Sequence, residues 1–249
     1  MSERRTVCWF SAGAASAVAT KLVLREHPEA VVAYCATNSE HPDSERFIAD
    51  CVRWFNRPIE RLASDEYADT WDVWDKRKYM AGNNGAPCTV ELKVAPRLAW
   101  QMPSDIHVFG YTADAPDVER AERLRKNYFE LTIQTPLIDR GLTKEACLAI
   151  VEDAGIELPA MYKLGFRNNN CVPCVKATSP NYWALVRKCF PDVFERAAIK
   201  SRALGARLCR INNERKFIDE IPADWPTNDP LQPSCDFLCH LAEQDIRAD

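Results

Sequence analysis

Eleven cysteines in a chain of 249 residues are the groups most able to do chemistry, and five of them are spaced for it. Cys171 and Cys174 bracket Val172 and Pro173 in NNNCVPCVKA. That spacing turns two thiolates toward one metal, and zinc and iron–sulfur sites both use it. A redox reading of the same Cys-x-x-Cys needs a thioredoxin-like context that is not evident around it, so metal coordination is favoured over free thiols. Cys88, beside the turn text GNNGAP and just before a helical pattern, is the best third ligand. Cys235 and Cys239 follow a proline-rich stretch, and His240 adjoins Cys239. Two roles are open for this pair. A thiolate on an arm can attack sulfur, with His240 helping to ionise it, or one or both cysteines complete the metal site. Cys8, Cys35, Cys51, Cys147, Cys189 and Cys209 lie inside apolar or helical patterns and read as small hydrophobes.

The run FSAGAASAVATKL, from Phe10 to Leu22, carries no charge before Lys21 in a chain that is 27% charged. Ser11, Gly13 and Ser16 lie where a buried strand turns into a helix. Small residues there let the backbone approach a ligand, and free N–H groups at the helix start favour phosphate or sulfonate. A tight turn with small residues chosen for packing would read the same way. Lys93 in ELKVAP is the first cation expected to hold such an anion, followed by Arg120 and Arg123 after GYTADAPDVER.

The elements that must position these residues alternate. Residues 6–10 read as a buried strand, 16–26 as a helix and 30–36 as a second strand. Residues 43–55 continue as a helix, 59–62 as a strand, 90–100 as a helix and 107–111 as a strand. Thr143 caps a helix running to Ala154, before Gly155. This pattern predicts an α/β fold with a doubly wound, mainly parallel sheet covered on both faces. Residues 1–160 are expected to form the nucleotide-binding domain. Residues 161–221 are expected to hold the Cys-x-x-Cys and a helical segment over 182–203. Residues 222–249, with four prolines between Pro222 and Pro233, are expected to form an extended arm.

Composition bounds the rest. With 47% hydrophobic residues and a net charge of -4, the chain can bury a full core and has no overall attraction to nucleic acid. An odd cysteine count fits a secreted disulfide framework poorly. MSERRTVCWF has no apolar run of signal-peptide length, and no stretch approaches the ~20 apolar residues of a membrane helix. A cytoplasmic protein without a membrane partner is expected.

Four segments in order resemble the phosphoadenylyl-sulfate (PAPS) reductase branch of the PP-loop superfamily. SAGAASAV (11–18) is similar to its Ser-Gly-Gly-x-Asp-Ser loop, and NSEHPDSERFIADCVRWF (38–55) to its second-strand loop and helix. PCTVELKVAP (87–96) is similar to its Cys-Cys-x-x-x-Lys-Val-x-Pro block, and NNNCVPCVKA (168–177) to its later Cys-x-x-Cys. The likeness covers most of residues 5 to 190. It departs at Ala15, where ATP-cleaving members carry aspartate, at Pro87, where the family has a first cysteine, and at CDFLCH, which is longer than the family's Cys-Gly-x-His.

The resemblance implies a Rossmann-like PP-loop fold and an adenine nucleotide bound by Ser11, Gly13, Ser16, Lys93, Arg120 and Arg123. It also implies a 4Fe-4S cluster, or zinc, on Cys88, Cys171, Cys174 and Cys235. The reaction it implies is thiol-dependent reduction of an adenylyl sulfate, with Cys239 attacking, His240 assisting and a thioredoxin-like partner releasing sulfite. Two alternatives stand beside it. One is an ATP-dependent iron–sulfur sulfurtransferase acting on a nucleic acid or other acceptor. The other is a non-catalytic nucleotide-binding module with a structural zinc.

Overall fold

Five strands form one all-parallel sheet in the computed structural model, which describes residues 4–83 and 85–247. The strands are β1 (Thr6–Phe10), β2 (Val31–Cys35), β3 (Ile59–Leu62), β4 (Ile106–Phe109) and β5 (Thr132–Gln134). Their spatial order is β3-β2-β1-β4-β5, with Val7 opposite Val31 on one side and His107 on the other. The chain thus moves outward from β1 to β3, then crosses back to lay β4 on the free edge of β1. In such sheets the crevice beyond the carboxyl ends of the strands at this switch point is where ligands bind.

β1 is buried throughout, and its period-two alternation feeds two cores. Cys8 and Phe10 face the larger cluster, while Val7 and Trp9 join Ala33, Trp100 and Phe109 on the other face. On the larger side lies α1 (Ala14–Glu26), with α2 (Asp43–Phe55) beside it. The small residues of AASAVATKLVLRE let α1 lie close to β1 and to several helices at once. After β3 come α3 (Thr70–Arg77) and a helical stretch that opens as α4 (Pro87–Thr89). It passes through a π-helical turn (Val90–Val94) and ends as α5 (Ala95–Trp100). α6 (Ala115–Asn127) follows β4. Then come α7 (Pro136–Asp139), α8 (Lys144–Asp153), whose Thr143 hydroxyl caps the Ala146 N–H, and α9 (Ala160–Lys163).

The C-terminal part adds α10 (Pro180–Cys189), α11 (Pro191–Ala203) and a hairpin of β6 (Cys209–Ile211) and β7 (Glu214–Lys216). The helix expected over 182–203 is therefore two, because Pro191 bars α geometry from Phe190, whose φ is -139° and ψ 64°. Their core includes Trp183 and Leu208 but also Trp71, Trp74, Met80 and Ala86. The unit expected to begin at residue 161 thus recruits its core from residues 71–86 as well. Residues 222–236 contain no helix or strand, as the prolines dictate, but the tail then forms α12 (Phe237–Arg247), which packs on α1 and α8. No helix among the described residues is long and apolar enough to cross a membrane.

Gly110, just past β4, lies where α1 begins. A Cβ on it would meet Ser16 Cα at 2.6 Å and Ser16 N at 2.8 Å, both backbone atoms. Gly110→Ala is expected to lower stability by about 1–3 kcal/mol by pushing α1 off the sheet. Urea unfolding of the two proteins measures this, and an unchanged midpoint would contradict the close approach.

Candidate functional site

A cavity of about 1020 Å³ opens at the carboxyl ends of β1 and β4, lined by the start of α1, the π-helical turn, α6 and the polar segment around Cys171. Its floor is the turn between β1 and α1. Ala12 holds a left-handed conformation with φ 55°, unusual for a residue with a Cβ. Gly13 caps α1 in extended geometry with no side-chain cap. The turn is tied internally by Ser16 Oγ, which accepts from the Ser11 N–H at 3.0 Å and donates to the Gly13 carbonyl at 2.9 Å.

Two groups from the distant NNN segment and α9 fix this turn. Asn169 is buried, and its Nδ2 donates to the Ala12 carbonyl at 2.7 Å and to Ser44 Oγ at 3.0 Å. The Tyr162 hydroxyl accepts from the Ala14 N–H at 3.2 Å. Burial pushes the Tyr162 phenol up to about 12, so it stays neutral where an anion would approach. The remaining N–H groups of the first turn have no intrahelical partner, as at any helix start.

The charge of the wall is one-sided. Lys93, Arg97, Arg120, Arg123, Lys144, Arg167 and Lys176 line the cavity, against a single carboxylate, Asp117, among the described residues. In a protein of net charge -4 this concentrates positive potential in one cleft, where low-dielectric walls focus it. Arg97 is the most telling of the seven. It is 7% exposed, and its Nε and Nη2 atoms have no hydrogen-bond partner. It leans on the rings of Phe109 and Tyr128, 5.9 and 5.1 Å from their centroids. A buried guanidinium with unused donors is costly unless an anion meets it.

Cysteines share the lining with these cations. Cys88, Cys171 and Cys174 all line the cavity. The Cys-x-x-Cys turn is pinned to the loop after β2, where Val172 N–H donates to the Ser39 carbonyl at 2.7 Å and Thr37 Oγ1 lies 3.0 Å from Cys171 Sγ. The Tyr182 hydroxyl accepts from the Cys174 N–H at 2.6 Å. Burial pushes the Cys171 thiol up to about 12, with Lys93 opposing. Burial likewise raises Cys88, while the Trp74 indole N–H favours its thiolate. Trp74 Nε1 has no hydrogen-bond partner of regular geometry. Lys93 is presented by the π-helical turn, a distortion that recurs at functional sites. Burial works against its charge, yet the attraction of Cys171, Glu40, Cys174 and Cys35 raises its pKa overall. The three sulfurs are not drawn into a closed mononuclear site. The one grouping of three ligand atoms within 4.8 Å among the described residues is elsewhere, whereas zinc holds two thiolates about 3.8 Å apart.

No family model matches the chain, and no curated protein matches it significantly.

The structure brings nine of the twelve residues expected from sequence to this cavity: Ser11, Gly13, Ser16, Lys93, Arg120, Arg123, Cys88, Cys171 and Cys174. The other three are not there. Cys239, expected on an arm presented to the nucleotide, is fully buried, disulfide-bonded to Cys235, and lies 3.8 Å from the Ala146 carbonyl of α8. His240 and Cys235 lie with it on α12 and just before it. The reason is that FLCHLAEQDIR is amphipathic and buries Cys239, Ala242 and Glu243 against α8 and α1. Cys235 therefore is not a fourth ligand beside Cys88, Cys171 and Cys174. Sequence reasoning also missed Cys35, Arg97, Tyr162 and Asn169. Cys35 looked like a core residue because it ends a β-rich run. Arg97 directly follows ELKVAP, and its position one turn beyond Lys93 was the available signal.

Two outcomes are expected here. If the cavity takes an anion, Arg97→Met should weaken binding of inorganic pyrophosphate about 10- to 100-fold, the worth of one or two hydrogen bonds to a charged group, while leaving stability equal or higher. Calorimetry with parallel thermal melts reads both, and lost stability with unchanged affinity would make Arg97 a packing residue. Asn169→Ala, which releases the Ala12 carbonyl, should cost about 1–3 kcal/mol of stability, measured by urea unfolding.

Proposed function

We propose that the protein is an ATP-dependent sulfurtransferase that binds the nucleotide's phosphates at the Ser11–Ser16 turn and handles sulfur with Cys88, Cys171 and Cys174. One observation carries this reading. The helix start, the unpartnered Arg97 and the three cysteines share a single cationic cavity, while Cys239 is buried elsewhere in a disulfide. The backbone N–H groups of α1 and the Arg97 guanidinium would hold phosphates, and Phe109 and Tyr111 offer aromatic faces at the same wall. Asp117, the one carboxylate in the lining, is held by Arg120 and Thr112 and would have to exchange those partners to meet a phosphate-bound magnesium where Ala15 supplies no acid.

Cys88, Cys171 and Cys174, which share the cavity, would hold an iron–sulfur cluster, and the Trp74 N–H and Lys93 ammonium suit its negative charge. The cluster would supply the sulfur to be transferred. The protein's own part is to bind ATP, orient an acceptor oxygen toward the α-phosphate, and keep water from the adenylated acceptor. Sulfur then displaces AMP.

A second reading is favoured by Ala15, which removes the acid of the ATP-cleaving loop. In it a Cys-x-x-Cys thiolate attacks the sulfur of an adenylyl sulfate, and the nucleotide leaves. The second thiol then closes a disulfide as sulfite departs, and a thioredoxin-like dithiol reduces that disulfide.

Anaerobic purification with iron and acid-labile sulfide analysis, followed by assays with ATP or with adenylyl sulfate, separates the two. ATP-dependent release of pyrophosphate with sulfide present is expected. Cys174→Ser should lose the iron and about 100-fold or more of the turnover, and Cys239→Ser should keep both. Sulfite from adenylyl sulfate, without ATP chemistry, would favour the second reading. Loss of turnover in Cys239→Ser with iron retained would overturn both.

A further inference from the structure

The tail carries a second cluster of ligand-type side chains, outside the lining of the cavity. Cys235 precedes α12, and Cys239, His240 and Glu243 lie in its first turns. Cys235 Sγ is 3.8 Å from His240 Nδ1 and 3.8 Å from Glu243 Oε1. Cys239 Sγ is 3.9 Å from Glu243 Oε1, and His240 Nδ1 is 3.5 Å from Glu243 Oε2. A tetrahedral zinc, with bonds of about 2.3 Å to sulfur and 2.0–2.1 Å to nitrogen or oxygen, sets its ligand atoms about 3.3–3.8 Å apart. Cys235, His240 and Glu243 offer ligand atoms that all lie within 4.8 Å of one another, and Cys239, tied to Cys235 by the disulfide, reaches the group through Glu243.

We propose that Cys235, Cys239, His240 and Glu243 form a tetrahedral zinc site in the reduced protein. A buried carboxylate gives the second argument. The Glu243 side chain is 10% exposed, ion-paired to His240, and hydrogen-bonded to the Asp153 carboxyl, which with burial raises its pKa. Two carboxyls so placed share a proton or take a cation. Two thiolates, an imidazole and a carboxylate are a soft-to-borderline donor set that suits zinc over magnesium or calcium.

Disulfide and zinc exclude each other. A dithiol reductant passes two electrons to the Cys235–Cys239 bond, becomes its own cyclic disulfide and leaves two thiols. Zinc then binds both sulfurs and releases their protons. Oxidation would expel the metal and reform the bond.

The test uses the full-length chain, reduced with a phosphine, stripped of metal and titrated with Zn2+ against a chromogenic chelator. Co2+ serves as the spectroscopic probe of thiolate ligation. The reduced protein should bind one more zinc than Cys235→Ser/Cys239→Ser, and Cys171→Ser/Cys174→Ser should retain that ion. His240→Ala, at a side chain 64% exposed and so neutral to folding, should weaken it about 100-fold or more. Diamide oxidation should abolish it. Equal zinc stoichiometry with and without Cys235 and Cys239, or an affinity indifferent to His240→Ala, would overturn the proposal.

Discussion

The start of α1 has to be held in place by groups that come from far along the chain, because it supplies no cap of its own. Gly13 has no side chain to offer, and Ala12 sits in a conformation that costs a residue with a Cβ about 1–2 kcal/mol. A turn built this way is open to a ligand because nothing bulky fills it, and for the same reason it cannot fix itself. Asn169 and Tyr162 hold the Ala12 carbonyl and the Ala14 N–H. The segment carrying the Cys-x-x-Cys is therefore also the buttress of the turn between β1 and α1. Whatever moves one moves the other.

The cavity so formed mixes two unlike kinds of group. Cations line it, with Arg97 against Phe109 and Tyr128 and its Nε and Nη2 left without a hydrogen-bond partner. Cys88 and Cys171 line it too, as thiols whose burial raises their pKa. Lys93 lies between the two sets, on a π-helical turn that rotates it away from the register of a regular α-helix. Burial would discharge it, and the surrounding acidic groups keep it charged. Lys93 and the cysteine sulfurs thus favour each other's charged forms, while burial opposes both.

Where burial sets the period, the sequence was readable. β1 and α2 have the expected bounds because full burial marks the one and a wide apolar stripe the other, and β3 has them although its central Glu60 and Arg61 are exposed. α6 was missed because Ala121 is its one buried residue, so no apolar periodicity exists to be read. α12 was missed because the prolines before it announced an arm and drew attention from the amphipathic pattern after Pro233. The cavity residues were legible as motifs, but their mutual distances were not. Arg97 and Asn169 matter through what they lack or reach across the fold, and neither property is local. Cys239 failed as a surface nucleophile for a related reason, since helical burial of position 239 is decided by α1 and α8.

The packing of α12 on α1 has a consequence for how the protein is made. These helices are separated by more than 200 residues, so their contact forms after nearly all other contacts and raises the contact order of the fold. During synthesis the sheet and α1 emerge long before their last cover does. Until α12 leaves the ribosome, the patch of α1 and α8 that receives Cys239 and Ala242 stays bare, a surface open to chaperones or to wrong partners. The last helix of the chain completes the core that the first helix begins.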